Sequence, residues 1–146
     1  HRDTNIILTG GVDDIWINTN TEEIIVVDYK SQANRRPVEV WSYLSSVYHQ
    51  GYKVQLDFYA YLLKKMKFKV AKTGYFLVCN GNKEANGFYG NMKFSETLIP
   101  YDTSTDWIEK EVDKMYDLMN STYLPKHNTS CENCAYAARR AEFENL

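Results

Sequence analysis

The 146-residue sequence has no apolar run long enough to cross a bilayer, which takes about 20 consecutive residues, so insertion as a membrane-spanning helix is excluded. It has three cysteines, an odd number, and no secretory leader pattern, which argues against a disulfide framework and for a reducing, cytoplasmic compartment. It has no excess of positive charge. Its 17 Lys and Arg stand against 19 Asp and Glu, for a net charge of −2, which excludes a nonspecific polycation but leaves room for a local basic patch that meets nucleic acid. Internal repeats and low-complexity tracts are missing too, so no solenoid or linker array is expected. What is present is a 44% hydrophobic, 25% charged chain with 12 Tyr, enough for one domain over residues 1–146 with a core in which most of the aromatics pack. The chain opens at HRDTNI without a Met, as expected of a fragment or a processed chain.

Aliphatic and β-branched residues dominate 4–18, TNIILTGGVDDIWIN, and 22–31, EEIIVVDYKS. The polar TNT between them predicts a β-hairpin. Residues 32–48 carry Pro37, mixed polarity and no clean period, which predicts a loop holding at most a short helix. Tyr52, Leu56, Tyr59, Leu63 and Met66 then step by four and three, the stripe of a helix over 52–67. A strand over 73–81 ends at an Asn-Gly turn signal, and a second strand region, 88–101, is interrupted near Gly90; the two are expected to pair. Thr105 precedes a second helical stripe of Trp107, Ile108, Val112, Met115, Tyr116 and Met119, ending near 121. The tail starts as a loop at Pro125 and ends in a short helix rich in Ala and Arg. This order predicts an α/β fold, a mixed β-sheet flanked by helices.

The chemistry lies at the open end of the hairpin. Side chains alternate along a strand, so Asp28 and Lys30 share a face with Ile24 and Val26. Two charges on one buried face are costly without a partner or a metal. On the preceding strand, Asp13 and Asp14 point to opposite faces, and only one can join Asp28. A two-residue or a four-residue turn places Asp13 beside Asp28, whereas a three-residue turn would select Asp14. Two carboxylates and an ammonium at one spot suit Mg²⁺ or Mn²⁺, with Lys30 left to orient or deprotonate a water that attacks a phosphodiester. The same spacing also fits a plain surface ion pair at a strand end.

With GGVD at 10–13, DYK at 28–30 and QLDFYAYLL at 55–63, the chain resembles the PD-(D/E)xK nuclease superfamily in its RecB-like exonuclease branch. The resemblance implies a restriction-endonuclease-like core. It implies metal ligation by Asp13, Asp28 and the backbone carbonyl of Tyr29, catalysis by Lys30, and a Gln-x-x-x-Tyr helix motif in which Gln55 positions and Tyr59 follows on the same helical face. It further implies Mg²⁺ or Mn²⁺ as cofactor, single- or double-stranded DNA as substrate, and a helicase or recombination protein as partner in repair or phage DNA processing. Arg35, Arg36 and Tyr59 are candidates for contact with nucleic acid, and Lys64, Lys65, Lys67, Lys69 and Lys72 for a phosphate track.

Two rival readings stand beside this one. The first is a noncatalytic DNA-binding module with an incomplete site, since the family's upstream helix carries a further His or Glu near the metal. The second is a small zinc-binding domain built on Cys131, Cys134 and His127, which is short of the usual four ligands. Iron–sulfur members of the branch use three cysteines near the C-terminus, and Arg140 stands where the third would fall. Cys79 reads as a small core residue of a strand. No iron–sulfur cluster is therefore expected. The purified protein should be colourless and free of stoichiometric iron by elemental analysis, and Cys131→Ser should cost little activity.

Overall fold

The computed structural model describes residues 1–84, 87, 89–123, 125, 126, 128 and 130–144. Strand β1 (Asp14–Asn18) turns into the long β2 (Glu23–Asn34), then α1 (Val40–Ser45), a 3-10 turn (Val47–His49) and α2 (Gln50–Lys65) carry the chain to β3 (Thr73–Asn82). Strand β4 (Phe94–Asp102) and helices α3 (Ile108–Met119) and α4 (Glu132–Glu144) follow. The chain divides into two compact units, His1–Lys110 and Glu111–Leu146. The first holds one four-stranded sheet in the order β1-β2-β3-β4. Its outer pairs are antiparallel and its central pair, β2 with β3, is parallel. A parallel pair needs a crossover, and α1 and α2 supply it. The expected α/β class, a mixed sheet flanked by helices, is what the chain adopts.

Several boundaries differ from expectation. Residues 4–13 form no strand, because the backbone at Gly10 is pressed against the Tyr59 ring of α2 instead of against a neighbouring strand. Strand β2 runs on to Asn34 where a loop was expected, since β3 offers parallel partners as far as Asn82, and sequence periodicity cannot reveal that pairing. Helix α2 ends at Lys65 and not at 67. Lys67 takes a left-handed conformation (φ 72°), and the N–H groups of Lys67 and Phe68 turn back to the carbonyls of Lys64 and Leu63. That closure satisfies the last free carbonyls with a lysine in the position glycine usually takes. Strand β4 begins at Phe94, after Tyr89 and Gly90 with positive φ; Phe88 lies outside the described residues. Trp107 precedes α3 and is not part of it.

The core lies between the sheet and α2. Val26, Phe76, Val78 and Ile99 on the sheet meet Leu56, Tyr59, Ala60 and Leu63, which recur at helical spacing on α2. Each large side chain buried here contributes about 1.5–3 kcal/mol relative to exposure. Tyr43 of α1 is buried in the same cluster. Cys79 is only half-buried, because it alternates with Phe76 and Val78 and so belongs to the other sheet face.

One buried carboxylate on α2 has no part in the apolar core. Asp57 accepts from Ser104 N–H (2.8 Å) through Oδ1, and from Trp107 Nε1 (3.1 Å) and Tyr101 O–H (3.3 Å) through Oδ2. Burial raises its pKa, against the lowering effect of those donors, and burial beside Asp57 pushes Tyr101 up to about 12. These bonds fasten α2 to the loop that follows β4. Asp57→Ala would orphan three donors at once and is expected to lower stability by about 2–4 kcal/mol in chemical denaturation. Asp57→Asn keeps one acceptor and should lose less.

Candidate active site

Strand β2 carries its charge into the core. Asp28 is 0% exposed, continues the buried run of Val26 and Val27, and pairs across the sheet with Phe76. Neither of its oxygens accepts a well-aligned hydrogen bond among the described residues, although Oδ2 is in ion-pair contact with Lys30 Nζ. Burial raises the Asp28 pKa and the neighbouring Asp13 carboxylate adds to the rise, while Lys30 opposes both.

The hairpin register decides which acid joins Asp28. Asn18 pairs with Glu23 across a four-residue turn and Asp14 pairs with Val27, so one step further Asp13 falls opposite Asp28. Asp13 Oδ2 accepts from Tyr29 N–H at 2.8 Å. A strand residue's N–H and C=O face the same edge, so the Tyr29 carbonyl is directed toward the Asp13 side, just beyond the end of β1. Asp14 is on the opposite face, where it accepts from the Tyr29 hydroxyl (2.5 Å) and Trp16 Nε1 (2.9 Å); the Tyr29 hydroxyl is the main cause of its lowered pKa.

Lys30 is fixed from three sides. Besides Asp28, it donates to Gln55 Oε1 at 3.1 Å and lies 4.5 Å from the centre of the Tyr52 ring. Gln55 Nε2 in turn donates to the Tyr59 hydroxyl at 2.7 Å, one helical turn on. Tyr59 is 8% exposed, and its ring occupies the space a Cβ on Gly10 would need, at 2.8 Å from Cε1. Gly10, Asp13, Asp28, Lys30, Gln55 and Tyr59 thus belong to one connected arrangement. Tyr59 is largely buried within it.

The basic candidates separate. Arg35 pairs with Glu84 at 3.6 Å, whereas Arg36 lines a groove beside α1. Lys64, Lys65, Lys69 and Lys72 are each tied to a partner within the first unit: Thr105, Glu109, the Thr21 carbonyl and Asp102. In the second unit the N–H of Cys134 reaches Cys131 Sγ at 3.5 Å, and this backbone donor is the main cause of the lowered Cys131 pKa. His127 lies outside the described residues. Tyr52 beside Lys30, and the Tyr43 and His49 rings that pack with each other and next to it, escaped sequence reading. Tyr52 was assigned to packing, Tyr43 falls in the aperiodic stretch and His49 just beyond it, where no spacing signalled them.

The site fits a hard divalent cation. Asp28 is a buried carboxylate short of donors, a second carboxylate is opposite it, and a backbone carbonyl is directed to the same edge. Among the described residues no three His, Cys, Asp or Glu side chains cluster, so a cation here would take two carboxylates and the Tyr29 carbonyl. No match was found among curated proteins or among solved structures. A profile of the PD-(D/E)XK nuclease superfamily, whose members are generally metal-dependent nucleases, matches residues 2–139. The chain belongs to the PD-(D/E)XK nuclease superfamily.

Proposed function

We propose that this member of the superfamily hydrolyses DNA phosphodiester bonds with Mg²⁺ or Mn²⁺ held by Asp13, Asp28 and the Tyr29 carbonyl. The observation that carries the reading is the buried Asp28, short of hydrogen-bond donors, with Asp13 and Lys30 converging on it. The cation would supply Lewis-acid stabilisation of the charge that develops on the phosphate. Asp13 and Asp28 would hold it, and the Tyr29 N–H fixes the Asp13 carboxylate. Lys30 orients the attacking water through its ammonium, and Gln55, itself braced by Tyr59, holds that ammonium in place. The Gln55–Tyr59 helix motif supports placement in the RecB-like exonuclease branch. With that placement go single- or double-stranded DNA as substrate, a role in repair, recombination or phage DNA processing, and a helicase or recombination protein as partner. A noncatalytic DNA-binding module is favoured only by the contact of Lys30 with Asp28, which occupies a ligand oxygen. Metal-dependent turnover of end-labelled DNA separates the two.

The two charges of the strand should fail differently. Asp28→Ala is expected to abolish Mn²⁺ binding and cleavage together. Lys30→Ala removes a like charge from the cation's surroundings, so it should keep or strengthen Mn²⁺ binding in calorimetry while slowing single-turnover cleavage about 100-fold or more. Cleavage by Lys30→Ala at the wild-type rate would remove the water-activating role. Because burial raises the Asp28 pKa, protons compete with the cation at higher pH than at an exposed Asp, and Mn²⁺ affinity should fall as pH drops through the acid range.

Gly10 offers a test remote from the reacting atoms. Gly10→Ala drives a methyl group into the Tyr59 ring and is expected to cost about 1–3 kcal/mol of stability. By displacing Tyr59 it should also release Gln55 and lower kcat with little change in Mn²⁺ affinity. An unchanged kcat in the folded variant would show that Tyr59 does not brace the site.

A further inference from the structure

The segment joining the catalytic strand to the catalytic helix carries features that the metal site does not use. A groove of about 810 Å³ opens between the end of β2 and α1, within the size range of small-ligand sites. Gln32, Arg36, Trp41, Tyr43 and His49 are among its lining residues, and Glu39 is the acidic one. Gln32 follows Lys30 by two residues on the same strand face, so the groove begins roughly 6.6 Å farther along β2 than the Lys30 backbone.

Trp41 is 81% exposed. The other two tryptophans donate their indole N–H groups to Asp14 and Asp57, whereas the Trp41 indole has no hydrogen-bond or ring partner among the described residues. Val47 and Tyr48 of the same connector are exposed as well. Tyr43 is 4% exposed, and its ring lies 4.0 Å from that of His49 at a tilt of 34°, while His49 Nδ1 is 2.9 Å from the Tyr43 carbonyl. The Tyr43 hydroxyl is buried and has no hydrogen-bond partner among the described residues. Arg36 has no ion-pair partner among them either, in contrast to Arg35. Gln32, which lines the groove, commits its Nε2 to Asn80 and leaves its amide oxygen as an available acceptor.

We propose that this groove receives an unpaired nucleobase of the substrate strand, stacked on Trp41, with Arg36 on an adjacent phosphate and the Gln32 carbonyl at the base edge. A flat exposed indole, a guanidinium and an amide acceptor are the recognition set for a nucleotide. The base must be unpaired, because in a duplex its faces are covered by neighbours. The proposal rests on the nuclease reading for what happens at Lys30, and it adds that the strand entering the site is single-stranded or frayed.

The test is a titration of the protein's tryptophan fluorescence with an oligodeoxythymidylate of twelve residues in EDTA, so that binding is read without cleavage. A blunt hairpin of the same length serves as the paired control. Saturable quenching by the single strand and much weaker quenching by the hairpin are expected. Trp41→Phe should lose most of the quenching yet keep affinity within a few-fold, and Trp41→Ala should weaken binding about tenfold or more, the scale of one lost base–aromatic stack. An unchanged thermal midpoint checks that both variants fold. No binding by the wild type, unchanged affinity in Trp41→Ala, or equal binding of the hairpin would each overturn the proposal. Cleavage in Mn²⁺ is measured separately. A protein that binds through Trp41 but never cleaves would overturn the nuclease reading alone, and one that cleaves but binds unchanged in Trp41→Ala would overturn only the groove.

Discussion

Burying an ionised carboxylate costs several kcal/mol unless positive charge meets it, and Asp28 imposes that condition on its surroundings. Lys30 answers it in part. Because Lys30 is itself nearly enclosed, it needs an acceptor and a face to rest on, which Gln55 and Tyr52 provide. Gln55 then needs Tyr59, and Tyr59 fits only because position 10 has no side chain. Each requirement follows from the one before it. A site organised this way is held in place before any substrate arrives, which is what electrostatic catalysis asks of its charged groups.

Much of this was legible from the residue order. Alternation along 22–31 placed Asp28 and Lys30 on one face, and the register supplied the four-residue turn that brings in Asp13 and turns Asp14 away. The stripe from Tyr52 to Met66 located α2, with Gln55 and Tyr59 one turn apart. These features are local and their periods survive in the sequence. What stayed hidden depends on residues far apart. The extension of β2 to Asn34 requires β3, the burial of Asp57 requires the loop after β4, and the partners of Lys64, Lys65, Lys69 and Lys72 belong to other elements. Arg35 and Arg36 are neighbours in sequence but diverge in space, a separation that composition cannot express.

The two faces of β2 divide the work. On the α2 face are Asp28 and Lys30, and on the other the Tyr29 hydroxyl is held by Asp14, which also takes the Trp16 indole. Tyr29 therefore joins the faces through its own backbone: its side chain is anchored on one and its N–H grips Asp13 on the other. The Asp-Asp doublet reads as redundancy in the sequence, yet each acid has a separate task.

The parallel pairing of β2 with β3 has a consequence for how the protein comes to be active. Gly10 through Tyr59 all precede β3, but the face that carries Asp28 and Lys30 is closed only when β3 pairs with β2 across the whole crossover of residues 35–72. Contacts between residues so distant in the chain form late, since the entropy of closing the loop must be met first. A nascent or partly unfolded chain would then hold Asp28, Lys30 and Gln55 without their arrangement, and the assembled cluster would appear together with the native sheet.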